Sequence, residues 1–199
     1  MRKILSAIIL MGGIMCAAPG MAAAGQSFAD ALASLQAKKF TQAMSAFSAL
    51  AETGHGRAEF MLGVMHEQGL GVAKNARRAA GWYLRAAQHG NASAQYNIAV
   101  FHQLGKGVER SDAAALKWHA AAAAQGHHKA QNNLGAIFYT GAGVARNLVE
   151  AWKWLTLAAD GLTGQDRKVT LQNRGRIERD MTADALAEAK RRAAAFKAR

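Results

Sequence analysis

The chain has 199 residues, 51% of them apolar, with 25 basic against 13 acidic side chains, a formal charge of +12, and a single proline and a single cysteine. Abundant alanine with only three tyrosines argues for helices and against a β-sandwich or barrel, because alanine loses no side-chain entropy in a helix while strands favour branched and aromatic residues. One cysteine excludes an internal disulfide framework and a thiolate-rich zinc site, so packing must hold the chain together.

In chain order, the first segment reads as a leader. Arg2 and Lys3 precede an uncharged stretch from Ile4 to Ala18, and Pro19 to Ala24 ends in small residues. This is the shape of a secretory signal peptide over 1–24, with cleavage expected between Ala24 and Gly25. The uncharged stretch is shorter than the roughly 20 residues that a membrane span needs, although an uncleaved anchor is the alternative. Met15, just before Cys16, is too bulky for a lipoprotein signal. Cleavage would remove Cys16 and Pro19 together, leaving a mature chain without either residue. The expected destination is the periplasm or the outside of a bacterial cell.

The body of the chain repeats itself every 36 residues. Gly69 and Gly71, Gly105 and Gly107, Gly141 and Gly143 recur at that step, as do Trp82, Trp118 and Trp154 and the pairs Ala86-Ala87, Ala122-Ala123 and Ala158-Ala159. A fixed period of this size predicts a solenoid of stacked helical hairpins. Within a unit, helix A carries an apolar stripe such as Ala58, Leu62 and Met65 at helical spacing. The first glycine of each G-x-G-V suits the left-handed backbone that ends a helix, and the second lets the chain reverse. Asn75, Ser111 and Asn147 are placed to cap helix B. Helix B is expected to present Ala79, Trp82, Ala86 and Ala87 on one face and to stop at Gly90 or Gly126. Phe28 to Lys38 and Phe40 to Gly54 form a weaker first hairpin with a shorter turn.

The order A-x-x-x-L-G, G-x-G-V, a capping residue, A-x-x-W and A-A-x-x-G resembles the Sel-1-like repeat, a relative of the tetratricopeptide repeat. The matching units are about 54–90, 91–126 and 127–162, preceded by a plainer unit at 26–53. Ala99 stands where the pattern has glycine, and the third unit ends one residue early at Gly161. The resemblance implies an all-α solenoid of antiparallel helix pairs, about four repeats, covered at 163–199 by C-terminal capping helices. Those helices are expected over 165–179 and 182–199, broken at Asp180-Met181, with Thr182 as N-cap and Met181, Leu186, Ala189 and Phe196 facing inward.

No catalytic constellation stands out. His55, His89, His127 and His128 fall at junctions between units, too far apart for one zinc ion, and read as structural or solvated. His66 and His102 read as packing residues, and His119 has no evident partner. The mature chain has no cysteine nucleophile, no G-x-S-x-G and no P-loop. Cysteine-rich secreted relatives linked to β-lactam chemistry carry disulfides that this sequence lacks, so that activity is not implied. No enzyme activity, metal or cofactor is expected.

In the architecture that the resemblance implies, ligands lie in a concave groove lined by helix A. The inward columns are then Arg57, Ser93 and Lys129; Phe60, Tyr96 and Asn132; Met61, Asn97 and Asn133; and Glu67, Gln103 and Tyr139. Side-chain amides both donate and accept, so the asparagines suit either the backbone of an extended peptide or a neighbouring helix, while Arg57 and Lys129 suit a carboxylate. The expected function is a non-enzymatic module of the bacterial envelope, a monomer that binds a protein or peptide. The alternative is attraction of anionic envelope glycan or lipid to the C-terminal helices, where Arg191 and Arg192 belong to a segment with twice as many basic as acidic residues. Nucleic acid is not an expected partner of an exported chain.

Overall fold

The computed structural model describes residues 27–196. The leader segment, with Cys16 and Pro19, and the terminal Lys197 and Arg199 lie outside them. The described residues form ten α-helices: α1 Phe28–Gln36, α2 Phe40–Glu52, α3 Gly56–Gln68, α4 Ala76–Gln88, α5 Ala92–Leu104, α6 Asp112–Ala124, α7 His128–Thr140, α8 Leu148–Gly161, α9 Gly164–Arg179 and α10 Ala183–Ala194. Each packs on its chain neighbour from α1 through α9, and α10 returns onto α8. The result is the expected solenoid: four antiparallel hairpins in a row, then two capping helices.

Local chemistry explains the helix ends. Asn75, Ser111 and Asn147 accept hydrogen bonds from the amides of Arg78, Ala114 and Glu150 at 2.9, 3.2 and 3.0 Å. The A helices are capped from one conserved-spacing column too. Asn91 accepts from the Ala94 amide at 2.9 Å, and the imidazoles of His55 and His127 accept through Nδ1 from Ala58 and Ala130 at 3.2 Å. Two of the junction histidines are therefore helix caps, and each must be neutral at Nδ1 to do this.

The two turn glycines do different work. Gly69, Gly105 and Gly141 end helix A in the left-handed conformation. The second glycine, also left-handed at φ near +71°, lies against the first turn of the preceding unit's helix B: Gly71 on Phe40, Gly107 on Ala76, Gly143 on Asp112. A side chain on Gly107 would overlap the Ala76 carbonyl. Phe40, Ala76 and Asp112 are spaced by the repeat period, so the first hairpin shares the register of the others despite its shorter turn.

The core buries Ala79, Ala86 and Ala87 of helix B as expected and corrects the place of Trp82. The deepest large side chains of the B helices are Tyr83, His119 and Leu155, the residues after the tryptophans. Trp82 and Trp118 are half-buried, and each packs on a core cluster made by helix B of the unit before and helix A of its own. The tryptophan column thus joins successive units, and the column beside it fills each hairpin. Gly63 explains the small residue facing it, since a Cβ there would lie 2.6 Å from the Tyr83 ring. The equivalent pair in the next unit is Ala99 and His119, both fully buried.

The cap follows expectation in most respects. The break falls at Asp180-Met181, Thr182 accepts from the Ala185 amide at 3.2 Å, and Ile177 and Ala189 are buried with Trp152 and Leu155. Helix α10 ends at Ala194 rather than running to 199. Phe196 turns in edge-on to Trp154, with ring centroids 5.3 Å apart. Among the described residues no helix is long and apolar enough to cross a membrane.

Candidate binding groove

Three polar columns run through the A helices, and their first duty is internal. The innermost is Glu59, Gln95 and Gln131, all nearly sealed from solvent. Gln95 and Gln131 donate to the carbonyls of Ala87 and Ala123, at 3.1 and 3.2 Å, on the preceding helix B. Glu59 instead meets Arg85 at 3.0 Å and His89 at 2.6 Å. Gln125, in the His89 column, repeats that link by donating to Gln95 at 2.8 Å. In the third unit the equivalent position is Gly161, and the His128 ring fills the vacated space and approaches Gln131 at 3.2 Å. A buried amide or carboxylate left without such partners would cost about 1–3 kcal/mol, so each unit has to complete this bond in some way.

The second column links helix A to the deep residue of its own helix B. The Tyr83 hydroxyl donates to Glu67 at 2.6 Å, and Lys106 of the next turn donates to the same carboxylate at 2.6 Å. Burial first, then Glu67, pushes the Tyr83 phenol well above its ordinary value. Burial acts to raise the Glu67 carboxyl, yet the bonds from Lys106 and Tyr83 hold it below the usual range. One unit later, His119 Nε2 lies 3.0 Å from Gln103 Oε1. In the third unit the pair is Leu155 and Tyr139, and the polar link is gone.

The third column contains Asn97 and Asn133. Asn97 bonds the Tyr83 hydroxyl, and the Asn133 amide lies 3.4 Å from His119 Nε2. These asparagines tie each helix A to the helix B before it. His119, read from sequence as lacking a partner, has one in Gln103: Nε2 carries a single hydrogen, which the Gln103 oxygen accepts, and the Asn133 amide nitrogen beside it is itself a donor. Burial first, and then the charge of His127, lower its pKa to about 4. Its Nδ1 is buried without a partner, so the imidazolium would hold one donor with nothing to accept it.

The capping helix α9 lies against the inner face of α7. Thr170, almost wholly buried, donates from its hydroxyl to Asn132 at 2.8 Å. Between α9 and the A helices is a cleft of about 280 Å³ that brings together Tyr96, Lys129, Asn132 and Asn133 from the groove columns with Asp166 and Thr170 of the cap. Tyr96 stacks on His127 at 4.8 Å. Its phenol is raised first by burial and then by Asp166. A second cleft, about 170 Å³, holds Tyr139 and shares Asn132 with the first.

The other groove residues are elsewhere. Arg57 is exposed with its guanidinium 4.3 Å from the Phe28 ring, Phe60 packs on Tyr83, and Asn97 is bound to that phenol. The residues of α9 that bound the cleft were not among those expected to line the groove. The glutamine column was also missed, although a polar residue repeating beside the buried Ala58, Ala94 and Ala130 is visible in the sequence. No group of three or more histidine, cysteine or acidic residues placed to hold a metal occurs among the described residues.

A row of helical hairpins with a polar inner face is the architecture of a repeat scaffold. The Sel1 repeat profile matches residues 56–91, 92–127 and 128–161, and the chain belongs to the Sel1 repeat family. Repeats of this family are a non-catalytic scaffold type and generally mediate protein–protein interaction. Among solved structures the chain is similar to a Sel1 repeat protein from Oxalobacter formigenes, with 34% identity, 71% of this chain and 57% of that chain covered, and a TM-score of 0.66. It also matches c5321, a protective antigen of uropathogenic Escherichia coli with an SLR fold, at 25% identity, covering 83% of this chain and 45% of that one with a TM-score of 0.49. The chain thus spans about half the length of these relatives. No curated protein matches it.

Proposed function

We propose that the chain is an exported module of the bacterial envelope that holds a peptide segment of a partner protein at the C-terminal end of its groove. The observation that carries this reading is the cleft against α9. There a cation (Lys129), a carboxylate (Asp166), a tyrosine and side-chain amides surround one opening, a mixture suited to a peptide backbone with charged ends or side chains. Helix α9 bounds the cleft on one side, so a ligand enters from the N-terminal units. Export rests on the leader segment.

The test is a photoreactive residue at position 129, activated in intact cells. One discrete adduct is expected, and Tyr96→Ala with Asp166→Ala should reduce it about tenfold or more, as loss of central contacts does. An undiminished adduct sinks the cleft assignment. Fusing residues 1–24 to a reporter and fractionating the cells tests export separately. The alternative contact, through the C-terminal helices, has fewer free charges than the sequence suggested. Arg191 and Arg192 both bind Glu188, at 2.6 Å in each case, and Arg192 also reaches Glu150 at 2.9 Å.

A further inference from the structure

Further positive charge lies on a different surface, the edge formed by the G-x-G turns. Lys38, Lys74, Arg110 and Arg146 recur at the repeat period, each two residues before a helix B begins, and all four are exposed. The second turn glycines press against the start of the preceding helix B, which brings successive turns side by side along this edge. Arg77 and Arg78, on the first turn of α4, add to the row. No carboxylate lies within ion-pairing distance of Lys38, Lys74, Arg77 or Arg78 among the described residues; Arg110 and Arg146 reach Asp112 and Asp180 only at 3.8 Å. The positive field is therefore densest over the first two turns.

The same edge carries Leu104, the last residue of α5. It is 69% exposed, the most exposed large apolar side chain described, and lies three residues before the Gly107 that abuts Ala76 and Arg77. An isolated exposed leucine is ordinary. A leucine set beside a row of uncompensated cations has a chemical complement, namely a segment that offers both carboxylates and an aliphatic side chain. A glycan or nucleic acid polyanion would use the cations alone and leave Leu104 without a function.

We propose that the G-x-G edge is a second docking surface, for an acidic segment of a partner protein that places an aliphatic residue on Leu104 and carboxylates on Lys74, Arg77 and Arg78. None of Lys74, Arg77, Arg78 and Leu104 lines the cleft against α9, so one partner segment at each is sterically compatible. Charge complementarity sets the approach and the leucine sets the register.

A random peptide library panned on the purified protein tests this, followed by anisotropy titrations of the enriched peptides. Peptides rich in Asp and Glu with interspersed aliphatic residues are expected. Their affinity should fall about tenfold in Leu104→Ser and about two- to fivefold for each of Lys74→Glu and Arg77→Glu, with Tyr96→Ala having no effect. All of these positions are exposed or half-buried, and circular dichroism verifies that each variant keeps its helices. Unchanged affinity in Leu104→Ser overturns the proposal, as does equal binding by polyglutamate, which would make the edge an indiscriminate polyanion surface. Enriched peptides that depend on Tyr96 instead would support the groove and overturn the edge.

Discussion

His119 makes the fold sensitive to mild acid, and the size of the effect can be worked out. The ring is fully buried, with Nε2 beside Gln103 and Asn133 and with Nδ1 unpartnered. Burial lowers its folded pKa to about 4, from the ordinary imidazole value of about 6.5. A base whose folded pKa is depressed contributes its stability fully above the unfolded pKa and loses it as pH falls from there toward the folded one. Between about pH 7.5 and about pH 5 the linkage relation gives a loss of about 2 kcal/mol from this residue alone. His119→Leu places in the second unit the residue that the third unit has at Leu155, and it removes the titration. Urea unfolding followed by circular dichroism, at both pH values, should show the variant losing about 2 kcal/mol less than the parent over that interval. The buried His66 and the half-buried His127 are also lowered, in each case mainly by burial, but they contribute to both proteins and cancel in the comparison. Identical pH slopes in the two proteins would show that His119 protonates freely in the folded chain, and the argument would fail.

Three other substitutions probe the repeat logic. Gly107→Ala combines a left-handed backbone with overlap on the Ala76 carbonyl, so thermal melts should show a loss of more than about 2 kcal/mol, against about 1 kcal/mol for Gly90→Ala, which has the same backbone hand and open space. Glu59→Gln adopts the residue of the two later units and should stay within about 1 kcal/mol of the parent, whereas Glu59→Ala, which deprives Arg85 and His89 of their partner, should cost about 3 kcal/mol. Gly161→Gln should destabilise alone, because His128 occupies the space. Combined with His128→Ala it should rebuild the Gln125-to-Gln95 type of bond, giving a double-mutant coupling of at least about 1 kcal/mol in urea titrations.

Much of the architecture was legible because its causes are local. Glycines that end helix A, polar residues that cap helix B, and the stop at Asp180-Met181 act within a few residues of themselves, and the period multiplies each signal. The deep column at Tyr83, His119 and Leu155 was not legible in that way. Its members share no chemistry, whereas the tryptophan beside it recurs in every full unit yet is only half-buried in two of them. Placement of α9 against α7 was also beyond local reasoning, since it depends on Thr170 meeting Asn132 across 38 residues. The asparagines could be weighed but not decided from sequence, because an amide suits a partner's backbone and a neighbouring helix equally well. Asn97 meets the Tyr83 phenol of the preceding helix, and Asn133 lies beside His119 while also lining the cleft against α9.

That outcome changes where a partner could be held. In the first two full units the inner face spends its polar groups on the solenoid itself: Glu67 on Tyr83 and Lys106, Gln103 on His119, Asn97 on Tyr83. In the third unit Leu155 replaces the polar B-helix residue and can accept nothing, so its counterpart Tyr139 is released and stands 36% exposed. Lys129 forms no ion pair among the described residues, and one Asn132 oxygen is all that the cap engages there. The internal bonding that stabilises the early units thus thins out at α7, and it is against α7 that α9 leaves an opening. A side chain already bonded inside the protein must break that bond to meet a ligand, at about 1 kcal/mol or more each time. The groove is therefore costly to occupy at its N-terminal end and cheapest to occupy where the polar columns fall free, beside Tyr96, Lys129 and Asp166.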